Sequence, residues 1–205
     1  MKNPVRKLGQ DGFTLIEILV ALILVSLLVA AVFPVVTQQA RQAEAPRLAT
    51  DLTNIKSGVE LFNVNLRNRF PKTLADLTKV IHEDSTALGE LDYTPAHVDG
   101  WDGPYIDAVG DSVVSGFDAV IGGSLVLYQS TLNQLATGPM TGASADSSYF
   151  VALAVSGLDA TSFERLNSLL DGASDTTSAG HATGNLRALS ADPADAYYLA
   201  VPFRR

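Results

Sequence analysis

The sequence predicts an α+β fold, in which one long N-terminal helix packs on a small antiparallel sheet. Residues 13–36 form an almost uninterrupted apolar run, and residues 48–66 carry apolar side chains at helical spacing. The remainder alternates short apolar stretches with turn residues. The first two observations predict a helix with a transmembrane half and an amphipathic half, and the third predicts the sheet.

The first twelve residues are short, polar and basic. Lys2, Arg6 and Lys7 outweigh Asp11, so this segment carries a net charge of +2, while the whole chain carries −8 and the part after it −10. Positive charge in front of an apolar helix stays on the cytoplasmic side, so the chain beyond residue 36 is expected to face outward. The segment has the character of a processing signal and is left out of the fold prediction.

The apolar run contains a single ionisable side chain, Glu17. As a helix, residues 13–36 would be about 36 Å long, enough to cross the hydrocarbon core of a bilayer. A carboxylate inside this run is costly without a partner, so Glu17 is a candidate functional residue. The next basic side chain is Arg41, about 36 Å further along a helix. The partner of Glu17 must therefore be an N-terminal amine or a group on another chain.

Residues 12–17 read Gly-Phe-Thr-Leu-Ile-Glu, and with the apolar helix behind them they resemble the class III signal of bacterial type IV pilins and type II secretion pseudopilins. The resemblance implies that a membrane-bound prepilin peptidase cuts after Gly12 and methylates the new N-terminal Phe13. It also implies assembly roles for Glu17 and for Pro34, which stands where the family often has a helix-breaking proline. The alternative is a plain signal anchor, in which Glu17 would be an expensive, incidental acid.

The resemblance implies a division into a cleaved leader (1–12), a transmembrane and assembly helix (13–36) and an exported pilin-like globular domain (37–205). The function it implies is that of a structural subunit of a type IV pilus or type II secretion pseudopilus, polymerising with its own copies through the N-terminal helix. A minor subunit that primes or caps the filament is the alternative, although Glu17 argues against the specialised tip subunit that lacks this glutamate.

The same resemblance implies further partners and a location. Besides its own copies, the chain would meet the prepilin peptidase, an inner-membrane assembly platform and, before assembly, membrane lipid. It would lie in the bacterial inner membrane with its globular domain outside the cytoplasm, and afterwards in a periplasmic pseudopilus or a cell-surface pilus.

The helix is predicted to continue well beyond the apolar run. Apolar residues recur at spacings of 4, 3, 4, 3 and 4 and form one helical face that should pack on the globular domain: Leu48, Leu52, Ile55, Val59, Phe62 and Leu66. We expect the helix to run from about Phe13 to Arg69 and to bend or open locally at Pro34 and Pro46. It should end at Phe70-Pro71, because a residue before proline avoids the helical conformation.

Two segments after the helix carry a second resemblance. Residues 70–77 and 101–106 are similar to the proline–leucine segment and the Asp-Pro-Trp-Gly-x-Pro-Tyr turn of major type II secretion pseudopilins. Here Gly100 replaces the first proline and Asp102 replaces the glycine that follows the tryptophan. Trp101 and Tyr105 are expected to seat the turn on the helix, and a packing role is favoured over any chemistry.

Acidic residues dominate the middle of the chain. Residues 80–164 include twelve acidic side chains and no Lys or Arg, and Asp99, Asp102, Asp107 and Asp111 fall within 13 residues. Carboxylates in a turn-rich loop are the ligands that calcium prefers, and the resemblance implies calcium in a loop after the turn. The EF-hand spacing is absent, however, and a solvated acidic surface is the interpretation we favour.

The remaining segments are predicted as short strands, loops and one helix. Strands are expected at residues 124–128, 149–155 and 197–203, and loops at residues 137–148 and 173–184. A capping box at Thr161-Ser162-Phe163-Glu164 should open a helix that ends at Leu170, with Gly172 as its stop.

Several function classes are disfavoured by composition. Cysteine is absent, which rules out a disulfide and a thiol nucleophile, and the acidic balance disfavours a nucleic-acid partner. His82, His97 and His181 stand alone in polar surroundings and are interpreted as surface residues. Since no hydrolase, phosphate-binding or zinc-protease motif occurs, we expect a protein that is not an enzyme. A membrane-anchored exported enzyme is the remote alternative.

Overall fold

A computed structural model of the chain describes residues 13–107, 112–132, 134–136, 149–172, 183–189 and 195–203. The chain divides into two compact units, residues 1–41 and residues 42–205. Helix α1 belongs to both units, and the other elements belong to the second. The helices and strands are α1 (Leu15–Asn65), β1 (Thr86–Ala87), β2 (Leu91–Asp92), α2 (Pro95–Val98), β3 (Ser112–Val114), β4 (Val120–Gln129), β5 (Gln134–Leu135), β6 (Tyr149–Ser156), α3 (Ala160–Leu170), β7 (Leu186–Ala188) and β8 (Asp195–Pro202).

The first unit contains the apolar part of α1. The stretch Leu15–Phe33 has a mean hydropathy of 3.0, and none of it is buried within the chain. By length and composition it is able to cross a membrane. A surface this apolar is stable only when lipid or another protein covers it.

In the second unit, α1 contributes one face to the main core. Leu48, Leu52, Val59, Phe62 and Leu66 are all 0% exposed, and Ile55 is 4% exposed, which confirms the apolar face predicted from spacing. Burial of such side chains stabilises the fold by about 1.5–3 kcal/mol each. The amphipathic half of the helix is therefore the central core element of this unit.

The C-terminal end of α1 differs from the prediction. The helix ends at Asn65 and does not continue to Arg69, because Arg67 and Asn68 take left-handed backbone angles of φ 49° and 69°. Consecutive residues in this conformation cannot extend a right-handed helix. Both Pro34 and Pro46 lie within helix α1.

The main sheet has the strand order β3-β4-β6-β8-β7, with β5 also paired to β4, and every pairing in it is antiparallel. Alternate residues of its strands point to opposite faces. On β4 and β6, Leu125 and Leu153 join the main core, whereas Tyr128 and Ala152 form a second apolar cluster with Leu199 of β8. The predicted α+β arrangement of a long helix and an antiparallel sheet is thus confirmed.

Strand β4 is longer than predicted. Gly122 and Gly123 were expected to precede a strand starting at residue 124, but β4 begins at Val120 and includes both. The pairing with β6 shifts register between Ile121 and Leu125, an irregularity of the kind that glycine permits inside a strand. The two glycines therefore mark an irregularity within the strand and not its start.

Helix α3 starts before the predicted capping box. Its N-cap is Asp159, whose Oδ1 accepts a hydrogen bond from Ser162 N at 2.7 Å, and the helix begins at Ala160. It ends at Leu170 as predicted, and Gly172 follows with φ +91°. Aspartate is as good an N-cap residue as threonine, so N-cap propensity alone does not show whether Asp159 or Thr161 caps the helix.

The other predicted segments have mixed outcomes. Strands β6 and β8 confirm those expected at residues 149–155 and 197–203. The loop expected at residues 137–148, and most of the one at residues 173–184, lie outside the described residues. The two- and three-residue strands β1, β2, β3, β5 and β7 were not predicted, because segments this short carry no periodic signal.

Candidate functional site

The N-terminal end of α1 carries Phe13 and Glu17. The Phe13 side chain is 78% exposed, and Glu17 lies in the first helical turn, also exposed. Glu17 N donates to the carbonyl oxygen of Thr14 at 3.1 Å and to its hydroxyl oxygen at 3.3 Å. Thr14 therefore caps the helix. Gly12 lies outside the described residues.

Thr14 and Glu17 also form a sequence pattern that the sequence analysis missed. Thr14 and Glu17 have the Thr-x-x-Glu spacing of a capping box, in which Glu17 takes the third helical position. A carboxylate in the first turn also interacts favourably with the positive end of the helix dipole. The fixed cap holds the acid at the very start of the apolar helix, one turn from Phe13.

The helix surface behind Glu17 is compatible with lipid and with other helices. Within the stretch Leu15–Phe33, the polar side chains are those of Glu17 and Ser26. The Ser26 hydroxyl donates to the carbonyl oxygen of Leu22 at 2.7 Å. The hydroxyl is thus satisfied inside its own helix, as a membrane environment requires. The small residues Ala21, Ala30 and Ala31 leave room for close helix approach.

The second recognisable region is the Trp101–Tyr105 turn. The indole nitrogen of Trp101 donates to the carbonyl oxygen of Asp76 at 3.2 Å, and Tyr105 N donates to the carbonyl oxygen of Leu77 at 2.8 Å. Asp76 and Leu77 belong to a short 3-10 turn, Leu74–Leu77. The two segments that carried the second resemblance are therefore joined by hydrogen bonds.

Tyr105 ties this turn to α1. The amide nitrogen of Asn65 donates to its hydroxyl at 3.2 Å, and its ring meets the ring of Phe62 edge-on with centroids 5.5 Å apart. Gly58 allows this approach, because a Cβ there would lie 2.5 Å from Cγ2 of Ile106. The prediction that the turn is seated on the helix is confirmed for Tyr105, whereas Trp101 contacts the Asp76 carbonyl and the Tyr105 ring.

The predicted calcium ligands that the structure describes do not form a metal site. Asp99, Asp102 and Asp107 are exposed, and Asp111 lies outside the described residues. Within the described ranges, no group of three His, Cys, Asp or Glu side chains is arranged to hold a metal ion. Calcium binding at these residues stays a prediction.

One histidine contradicts the prediction of three surface histidines. His82 is exposed and His181 lies outside the described residues, but His97 is only 9% exposed. Its Nδ1 accepts a hydrogen bond from Thr94 N at 3.0 Å and so caps the N-terminal end of the short helix α2. Burial, reinforced by the charges of Arg69 and Arg67, lowers the pKa of His97.

We expect the stability of the globular unit to fall on mild acidification because of His97. The unfolded chain binds a proton near pH 6.5 whereas the folded chain resists it, so the stabilisation is complete above pH 6.5 and is lost as the pH falls below that value. Thermal unfolding between about pH 5 and 8 measures the effect. His97→Gln keeps an acceptor for Thr94 N and should flatten this step, whereas the same change at exposed His82 should not. An identical pH profile for wild type and His97→Gln would contradict the assignment.

Comparison with known proteins finds two similarities. Residues 7–33 match the family model described as the prokaryotic N-terminal methylation motif. The chain is 23% identical over 106 residues to the type II secretion system core protein G of Aeromonas hydrophila, an alignment that covers 49% of this chain and 73% of that protein. No solved structure matches the chain. Together, the methylation motif, the exposed apolar helix behind it and the similarity to core protein G support a relationship of the chain to the type IV pilins and type II secretion pseudopilins.

Proposed function

We propose that the chain is a structural subunit of a type II secretion pseudopilus or a type IV pilus, which is processed after Gly12 and polymerises through α1. The observation that carries this proposal is Glu17, a lone acid in the first turn of an exposed apolar helix that begins within the matched methylation motif. The globular unit then serves as the exported part of the filament.

Glu17 explains how identical helices would find one register. To join a filament, the apolar helix leaves lipid and enters a bundle of like helices, where an unpaired carboxylate is costly. The amine of Phe13 on a neighbouring copy is the complementary charge. Leaving one partner of a buried pair alone costs about 3–5 kcal/mol, so any stagger that separates Glu17 from the amine is penalised.

Pro34 is proposed to give the assembled helix a place to open. Proline removes one helical hydrogen bond and distorts the turn before it. Opening at Pro34 would let a packed bundle lengthen without breaking the contacts of Glu17. Before assembly, the subunit lies in the inner membrane with its globular unit outside the cytoplasm, and a prepilin peptidase and an assembly platform are its membrane partners.

A minor subunit that primes or caps the filament is the second candidate. The alignment with core protein G covers 49% of this chain and 73% of that protein, so about half of the chain lies outside the alignment. An enlarged globular unit suits a subunit with a specialised position. Electron microscopy of the purified mature protein separates the two roles, because the main subunit should polymerise alone and a priming subunit should not.

Processing provides the first test. The protein extracted from membranes should have the mass of residues 13–205 plus one methyl group, because cleavage after Gly12 exposes the Phe13 amine. Gly12→Leu should abolish cleavage, since the peptidase must approach the backbone closely, whereas Gly9→Leu in the same leader should leave it intact. Intact-mass spectrometry decides: a wild-type chain that still begins at Met1, or that is cut elsewhere, overturns the proposal.

A further inference from the structure

A short loop between β3 and β4, residues 115–119, contacts α1 on both sides of Pro46. Before the proline, Gly116 lies directly against the carbonyl group of Glu44, so closely that a methyl group at position 116 would overlap the carbonyl oxygen. After the proline, the Ser115 hydroxyl donates a hydrogen bond to the Asp51 carboxylate. Both Ser115 and Gly116 are buried. The two contacts therefore bracket the proline.

The loop is built to keep its shape. Ser115 N donates to the carbonyl oxygen of Ala119 at 2.9 Å, and Ala119 N donates to that of Gly116 at 3.2 Å. Between them, Phe117 and Asp118 hold left-handed angles of φ 63° and 55°. Non-glycine residues adopt this conformation only where the surroundings enforce it. Here the partly buried Phe117 side chain packs against the main core.

The turn of α1 that the loop contacts is a weak one. Pro46 has no N–H, so the carbonyl of Gln42 loses its helical partner, just as Pro34 leaves the carbonyl of Ala30 without one. The surroundings of the two prolines differ. Ala45 and Leu48, on either side of Pro46, are 4% and 0% exposed, whereas none of the stretch Leu15–Phe33 before Pro34 is buried.

We propose that residues 115–119 form a clamp that keeps α1 helical across Pro46, so that any opening of the helix ends before Glu44. Opening of the helix is then confined to the part of α1 that lies before Glu44 and contains Pro34. A subunit under tension would lengthen there while the core residues from Leu48 onward stay packed. The clamp acts within one subunit, and it holds whether or not the chain forms filaments.

Hydrogen–deuterium exchange of the mature full-length protein in detergent micelles tests the clamp. In the wild type, amides of residues 42–50 should exchange at least about tenfold more slowly than those of residues 35–41, because they open only when the clamp is released. Gly116→Ala forces a methyl group against the Glu44 carbonyl and should speed exchange at residues 42–50 by about tenfold or more, while residues 35–41 stay unchanged.

Matched variants keep the proposal falsifiable if Gly116→Ala does not fold. Ser115→Ala and Asp51→Ala each remove one hydrogen bond and should also speed exchange at residues 42–50. Asp51→Asn keeps an oxygen that can accept the hydrogen bond from Ser115, so residues 42–50 should exchange more slowly than in Asp51→Ala. Gly122→Ala lies in the same hairpin, where a Cβ would be at an ordinary 3.5 Å from the Ala154 methyl, and should have no effect. Unchanged exchange in Ser115→Ala and Asp51→Ala, or equally fast exchange on both sides of residue 42 in the wild type, overturns the clamp.

Discussion

Glu17→Ala is expected to abolish filaments without affecting membrane insertion or cleavage at Gly12. Insertion depends on the apolar stretch Leu15–Phe33, which the change makes even more apolar. In the proposed filament, assembly would depend on a buried pair between Glu17 and the Phe13 amine of a neighbour, and loss of the carboxylate would leave that amine buried and unpaired. Glu17→Gln should be nearly as defective, because it keeps the shape and removes the charge.

The measurement compares a sheared-filament fraction with a membrane fraction from cells that make each variant as their only copy of this subunit. Glu60 offers a matched control, since it is an exposed glutamate on the globular half of the same helix. Glu60→Ala and Glu60→Gln should give the wild-type filament yield. Wild-type yields from both Glu17 variants would show that the acid has no part in assembly and would remove the main support of the proposed function.

Phe62→Ala is expected to destabilise the globular unit by about 3–5 kcal/mol. The side chain is 0% exposed and meets the rings of Tyr93 and Tyr105 edge-on, with centroids 6.3 Å and 5.5 Å away. Removing it leaves a cavity beside α1 and takes away the surface on which the Trp101–Tyr105 turn rests. For a domain of this size, the melting temperature should fall by about 10 °C or more.

Trp101 provides the measurement, because it is the single tryptophan of the chain and its ring lies 5.7 Å from that of Tyr105. Its fluorescence during thermal unfolding reports directly on the turn. Val64→Ala is the control on the same helix: this side chain is 74% exposed, and its loss should change stability by less than about 0.5 kcal/mol. Equal melting temperatures for Phe62→Ala and the wild type would contradict the packing described for the turn.

The sequence was most informative where physical constraints repeat along the chain. The apolar run and the period of the Leu48–Leu66 face define α1, because each repeats one requirement, either solubility in lipid or burial on one side, over many residues. Strands β6 and β8 were predictable for the same reason, as continuous apolar runs bounded by polar residues. A lone acid in such a run was equally visible, and this is why Glu17 was found.

Features that depend on contacts between distant residues were not predictable. His97 was interpreted as a surface residue because it stands alone in a loop-like segment, yet its burial comes from the fold, with Arg67 and Arg69 close enough to affect its pKa. Gly116 gave no signal either, since only the path of α1 past Glu44 makes a side chain there impossible. The capping role of Thr14 could have been predicted from its spacing to Glu17. It was missed because Glu17 was interpreted only as an acid within a membrane helix.

The edges of the main sheet bear on how such a protein avoids unwanted association. Among the described residues, its edge strands β3, β5 and β7 are three, two and three residues long. A strand this short offers few free backbone groups to a passing chain, so lateral growth of the sheet from one molecule to the next is disfavoured. That restraint would matter for the proposed subunit while it lies in a membrane, because confinement to two dimensions raises the rate at which identical globular units collide. Neighbours that collide in this way would gain little by pairing strands, and ordered growth would be left to the helix.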